Sequence, residues 1–271
     1  MSTLLNIGCG ATFHPAWINL DATPLSPEVL AHDVRAGLPF PEDRFLAVYA
    51  SHVLEHLDPD AGLRLLRECH RVLRPGGVAR IVVPDLETIA KTYLQCLEGA
   101  IKGDAEAEER YDWMMLELYD QTVRTVSGGA MAASIEQPRS EPHRCFIAAR
   151  IGDAHAHTSS PGPGSFARRV LGASKNARVR AAQACAYALI GGEGAAALRE
   201  GLFRRNGEVH QWMYDRFSLS RALKNAGFAD VGVRAVDESA IDGFPRYGLE
   251  TAGGRPRKPD SLYVEGRKPR A

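Results

Sequence analysis

The chain has 271 residues, 45% of them hydrophobic and 24% charged, which suits one large domain or a core domain carrying an insertion. Its 33 basic residues balance 33 acidic ones, so no global charge draws it to nucleic acid or to an anionic membrane. Five scattered cysteines make no C-x-x-C pair, and no apolar run approaches the ~18 residues of a membrane span, so we expect a cytoplasmic protein with reduced thiols.

In chain order, Leu4–Ile7, Trp17–Leu20, Val29–His32 and Phe45–Ala50 read as short strands, each ending near an acidic residue or a glycine. A helix should follow, with Asp58 as cap, Pro59 in its first turn, and Leu63, Leu66, Cys69, Val72 and Leu73 on one face. Pro75-Gly76-Gly77 ends it, and Val78–Val83 reads as a fifth strand buried on both faces. Strands alternating with crossovers predict a parallel α/β sheet.

Residues 86–210 read differently. Leu86–Ala100 and Ala105–Val126 look helical, a flexible loop is expected near 152–166, and alanine-rich helices follow around Arg178–Ile190 and Ala195–Arg204. The α/β rhythm then resumes, with a helix capped by Ser218 and ended by Gly227, a sixth strand through Val231, Val233 and Ala235, and a seventh at Leu262–Glu265. The expected organisation is a core of residues 1–85 and 211–271, interrupted between strands 5 and 6 by a mostly helical insertion or lid.

Gly8-Cys9-Gly10 lies at the mouth of the first strand, where the lack of a Cβ lets a ligand approach the backbone. A dinucleotide fingerprint would place a third glycine at Phe13, so that reading fails. Asp21, at the end of the second strand, suits a ribose diol, because one carboxylate accepts two O–H bonds. No Walker lysine or basic cluster prepares for pyrophosphate, and the ligand suggested is a nucleoside without phosphates.

The ordered stretches LNIGCG, INLD, HD at Asp33, YASHVLEHL and LRECHRVLRPGGVARIVVPD resemble class I S-adenosylmethionine-dependent methyltransferases of the compact bacterial type 11 group. The resemblance is strong over residues 3–90 and resumes at HQWMYDRFSLSRALKNAGF. It implies a Rossmann-like, seven-stranded, mostly parallel sheet whose last strand inserts antiparallel. By the same resemblance Gly8, Cys9 and Gly10 would line the methionine moiety, and Asp21 would bind the ribose. Asp33 and Val34 would flank adenine, with Ser51 and His52 beside the sulfonium. The acceptor implied is a small molecule, a hydroxyl of a sugar or glycan precursor. A non-catalytic cofactor-binding scaffold is the alternative.

The chain departs from the family in two places. The usual Phe-Asp opening of strand four is Phe45-Leu46, at the strand end away from the ligand. Between Gly10 and Trp17 there is no room for the customary first helix, although about five extended residues can span roughly 16 Å and return the chain. One sheet face would then lack its cover, and we expect the insertion, or a second copy in a homodimer, to fill it.

His52-Val53-Leu54-Glu55-His56 matches H-x-x-E-H, the pattern of a zinc hydrolase if it were helical. After a parallel strand it reads better as a helix start packed under the cofactor, so no metal is assigned. His210 and Tyr214, where the chain returns from the insertion, are the acid–base candidates, and Asp215 reads as a cap. Trp113, Glu117, Asp120 and Gln121 share a helical side, either as a lid reading a polyhydroxylated substrate or as an amphipathic core helix. Arg168, Arg169, Lys175, Arg178 and Arg180 form a basic cluster of the kind usually found on a solvated face.

Overall fold

The computed structural model describes residues 3–152, 185 and 187–270. The loop expected near 152–166, its histidines and the basic cluster from Arg168 to Arg180 fall outside the described residues, apart from Gly152. Seven strands form one sheet in the order β3-β2-β1-β4-β5-β9-β6. They are β1 (Leu4–Ile7), β2 (Ile18–Asp21), β3 (Leu30–Ala31), β4 (Phe45–Ser51), β5 (Leu73–Pro84), β6 (Ala229–Arg234) and β9 (Ser261–Arg267). Strand β9 runs antiparallel to both β5 and β6, and the other pairings are parallel. This is the expected Rossmann-like sheet. A two-stranded ribbon, β7 (Thr251–Ala252) and β8 (Arg255–Pro256), lies in the connection from β6 to β9.

Alternation along the strands gives the sheet two unlike faces. One is apolar. Leu5, Ile7, Val48, Ile81 and Val264 pack there against helix α1 (Pro59–Val72) and helix α7 (Arg216–Asn225) through Leu65, Leu66, Cys69, Leu219 and Leu223. Asp58 caps α1 by accepting from the Ala61 amide, with Pro59 at the first position. The cap of α7 is Asp215, not Ser218. Ser218 is the third helical residue and completes a capping box by bonding back to the Asp215 amide.

The other face carries a polar row. Asn19, Asn6, Tyr49, Arg80 and Glu265 stand side by side on β2, β1, β4, β5 and β9. No helix joins β1 to β2. Instead the Asn6 amide donates to Asn19 Oδ1 (3.0 Å) and to Thr12 O, and Asn19 donates to His14 O and Trp17 O, which pins the short return loop. The expectation that the insertion or a second copy would cover this face is corrected. Trp17 from the loop, with Ile241, Phe244 and Leu249 from the connection between β6 and β9, packs on Ala47, Tyr49, Val78, Val82 and Tyr263. The cover is supplied by the chain's own C-terminal third, because Arg80 ties it down.

Arg80 is fully buried. It donates twice to Glu250 (2.9 and 2.6 Å) and once to Glu265 (3.0 Å), and its remaining N–H groups reach the carbonyls of Ala235, Val236 and Glu238. Its guanidinium lies over the rings of Phe244 and Tyr263. Glu265 also accepts from Ser239 Oγ and the Ala240 amide.

The residues after β5 build a separate apolar cluster. Helices α2 (Leu86–Ile101), α3 (Ala105–Met115), α5 (Gly129–Glu136) and α6 (Glu141–Ile151) bring Ile89, Cys96, Trp113, Met114, Met131 and Ile147 together. The single helix expected to reach Val126 gives way to a π-turn, Leu116–Asp120, and a short helix α4 (Gln121–Val123). Trp113 is fully buried and donates to Glu117, which Arg150 pairs at 2.6 Å. Trp113 and Glu117 on that side are therefore core, whereas Gln121 borders a cavity described below. Residues 187–204 are helical. No helix among the described residues is long and apolar enough to cross a membrane.

Replacing Arg80 with Met should strand two buried carboxylates and lower stability by about 3–5 kcal/mol. Urea denaturation followed by circular dichroism measures this, and a change below 1 kcal/mol would remove Arg80 as the tie.

Candidate active site: two cavities that meet at His52

The loop after β1 is shaped by its glycines. Gly8 has φ +63°, and a Cβ there would lie 2.2 Å from Val53 Cγ2, so only glycine fits. Gly10 also has positive φ (+53°), and a Cβ on it would meet nothing within 4 Å. The Gly10 amide donates to Asp21 Oδ2 at 2.8 Å, and the Thr23 amide to Asp21 Oδ1 at 2.8 Å. Asp21 thus clasps the glycine loop to the end of β2 and keeps spare lone pairs on both oxygens. Burial and the Asp21 charge push the Cys9 thiol up to about 11, leaving it an inert lining group.

This loop borders a cavity of about 380 Å³. The structure brings Gly8, Cys9, Gly10, Ser51 and His52 together there, as the sequence suggested. Asp21 is one hydrogen bond away. Asp33 and Val34 lie further along: Asp33 caps a turn (Val34–Ala36) and holds Arg35 in a bidentate pair, while Val34 packs against the apolar core. The far wall was not foreseen. Leu249, Glu250, Arg257, Lys258 and Ser261 come from the connection that Arg80 ties down.

A second cavity, of about 290 Å³, lies between the strand ends and the helices after β5. Pro84, Gln121, Arg124, Met131 and Ile135 line it, with His210 and Asp260. His52 and Lys258 border both cavities. His210 is fixed there because its amide donates to Gln121 O at 2.9 Å. Tyr214 is not brought to either cavity. It is 5% exposed in the core cluster of the helical face, and it joins Asp85 in an isolated bridge.

His52 adopts φ +54° at the end of β4, so the chain turns sharply into a 3₁₀ turn, Leu54–His56. The H-x-x-E-H segment is therefore not helical, and His52 and His56 do not share a helix face as a hydrolase would need. The group that gathers is Glu55, His56 and His210. His52 Nε2 lies 2.9 Å from Ser261 Oγ, and its Nδ1 is 3.1 Å from Glu55 Oε1. Burial pulls the imidazoles of His52 and His210 down to about 4 and about 3, so both are neutral at pH 7. Burial raises the Glu55 carboxyl, but the neighbouring His52, His56 and His210 outweigh it and bring it to about 2. Asp260 moves the other way: burial and the Glu117 charge push it up to about 6, against Arg150 and Lys258.

The sheet order, the antiparallel strand beside β5 and the glycine loop clasped by a carboxylate are the arrangement of the Rossmann-like fold of class I methyltransferases, whose cofactor is S-adenosylmethionine. Within that class, residues 5–81 match the family model described as a methyltransferase domain, of type 11. Among solved structures, a complex between the Haloferax volcanii Trm112 methyltransferase activator and a methyltransferase matches with 13% identity and a TM-score of 0.41, covering 100% of this chain and 83% of that one. An Archaeoglobus fulgidus SAM-dependent methyltransferase matches with 12% identity and a TM-score of 0.39, covering 98% and 86%. A Mesorhizobium loti S-adenosylmethionine-dependent methyltransferase shows 16% identity and a TM-score of 0.35 over 97% and 90%. No curated protein matches. At these identities nothing about substrate passes to this chain.

The first cavity fits the cofactor: one flank is a loop that no Cβ obstructs at Gly10, and a carboxylate with free lone pairs stands at the end of the second strand. Gly8→Ala should drive a methyl group into Val53 and abolish measurable adenosylhomocysteine binding by calorimetry. Adding Val53→Ala should restore part of it, and no restoration would mean that backbone strain alone demands the glycine.

Proposed function

We propose that the enzyme methylates a hydroxyl group of a sugar or related glycan precursor held in the second cavity. The observation that carries this reading is the wall itself. Gln121, Arg124 and Asp260 alternate with Met131, Ile135 and Ile151, which suits a ring with an apolar face and a polar edge. The cavity also meets the cofactor cleft at His52 and Lys258.

Bound S-adenosylmethionine supplies a methyl group already activated by its sulfonium. The protein's part is to align, desolvate and take a proton. Gly8 to Gly10 cradle the amino-acid end, with Arg257 and Lys258 as the cations bordering the same cleft. Asp21 accepts from the ribose diol, Asp33 and Val34 flank the adenine, and Ser51 and His52 stand beside the sulfonium end. His210, neutral at pH 7, positions the acceptor hydroxyl. Asp260, the carboxylate lining the second cavity, is raised by burial to about 6 and would take the proton of the acceptor hydroxyl. Tyr214, an acid–base candidate by sequence, has a hydroxyl raised to about 12 by burial, lies in the core away from both cavities and takes no part in this reading.

A panel of sugar nucleotides and free sugars, with methylation read by mass spectrometry, tests the acceptor class. Methylation of amines alone would overturn it. Asp21→Ala should weaken adenosylhomocysteine binding by about 1–3 kcal/mol in calorimetry, and unchanged affinity would exclude it as the ribose anchor. Asp260→Asn should lower kcat by about 100-fold with cofactor affinity intact. Because the ionised form accepts the proton, kcat should rise with pH through about 6 in the wild type and lose that step in the variant.

A further inference from the structure

We propose that Glu55, His56 and His210 form a binding site for a divalent transition-metal ion. One donor atom from each residue lies within 4.8 Å of the other two. Among the described residues this is the only such gathering of histidine, cysteine and acidic side chains.

The stronger observation is what these atoms lack. Glu55 is fully buried and neither carboxylate oxygen has a hydrogen-bond partner; His56 Nδ1 and His210 Nδ1 are also buried and unpartnered, and His210 as a residue is only 5% exposed. Buried polar atoms are almost always satisfied, so unpartnered atoms on three residues that lie together need a common explanation. A cation takes a lone pair from each residue at once and also balances the buried carboxylate. Two imidazole nitrogens and one carboxylate oxygen suit Zn²⁺, Fe²⁺, Co²⁺ or Mn²⁺ and not the all-oxygen shells of Ca²⁺ or Mg²⁺. Bonds of about 2.1 Å place tetrahedral ligand atoms about 3.4 Å apart, within reach of modest ring rotation from the present spacing.

The backbone already holds the two ligand-bearing segments together. The Gln211 and Trp212 amides donate to Glu55 O, and Gln211 Nε2 donates to His56 O. The His56 and His210 rings meet edge to face with centroids 4.8 Å apart. His52, with Nδ1 3.1 Å from Glu55 Oε1, stands behind the carboxylate as an orienting group. An ion on Nδ1 fixes the tautomer of His210 and leaves its Nε2–H to donate. The inference does not depend on the acceptor assigned above.

The test is a Co²⁺ titration of the full chain after treatment with chelator. One equivalent should bind, with visible ligand-field bands that Zn²⁺ abolishes, and the melting temperature should rise. Glu55→Gln and His56→Asn should each weaken Co²⁺ at least tenfold, and His52→Ala should weaken it by about tenfold through lost orientation. Circular dichroism on the same samples shows whether each variant is folded, and adenosylhomocysteine calorimetry on the wild type separates this outcome from failure of the methyltransferase reading. Wild-type protein that binds adenosylhomocysteine but gives neither bands nor heat with Co²⁺ or Zn²⁺ would overturn the site. Equal Co²⁺ affinity in the Glu55→Gln, His56→Asn double variant would overturn it too.

Discussion

The structure depends on how a buried arginine is satisfied. Arg80 sits in the middle of the central sheet on the face that has no helix between the first two strands. A guanidinium cannot stay there without partners, and the partners must come from somewhere in the chain. They come from residues 235–250 and from β9, which fold across the face to place Glu250, Glu265 and three carbonyls around it. The apolar groups that travel with that segment, Ile241, Phe244 and Leu249, then cover the sheet. Polar satisfaction at one point thus directs hydrophobic burial over a wide area.

The active site follows from the same arrangement. Once the connection is anchored at Glu250, it continues to Arg257, Lys258 and Asp260 at the carboxyl ends of the strands, where ligands of open α/β sheets bind. One wall of the first cavity and part of the second are therefore made by residues near the end of the described chain, while the glycine loop after β1 makes another wall of the first. The asparagine pair, Asn6 and Asn19, does for the glycine loop what a helix would otherwise do. It fixes the return path by hydrogen bonds in place of packing.

What the sequence showed and what it hid have physical reasons. Short strands between turn residues were legible because alternation and glycines are local signals, and β1 and β4 lie close to where they were expected. The glycine loop and Asp21 were legible because the spacing of a strand, a turn and a carboxylate is set by local geometry. Arg80 was hidden inside VARIVV, a run whose apolar neighbours suggest burial and say nothing of a charge with partners about 170 residues away. Asp260 was hidden for the same reason, since its raised pKa arises from contacts between distant segments. The aromatic-acidic run at 111–121 showed the right periodicity but not its direction. Only tertiary packing reveals that Trp113 and Glu117 face their own core.

Strand β9 lies between β5 and β6, antiparallel to both. Its place in the sheet is far from its place in the sequence. As the polypeptide leaves the ribosome, β6 emerges before the strand it pairs with, and the carboxylate Glu265 follows Arg80 by 185 residues. The early strands must wait, with their central charge unmatched, for a late segment to slot into the gap. The sheet closes only when β9, the last of its strands in chain order, slots between β5 and β6.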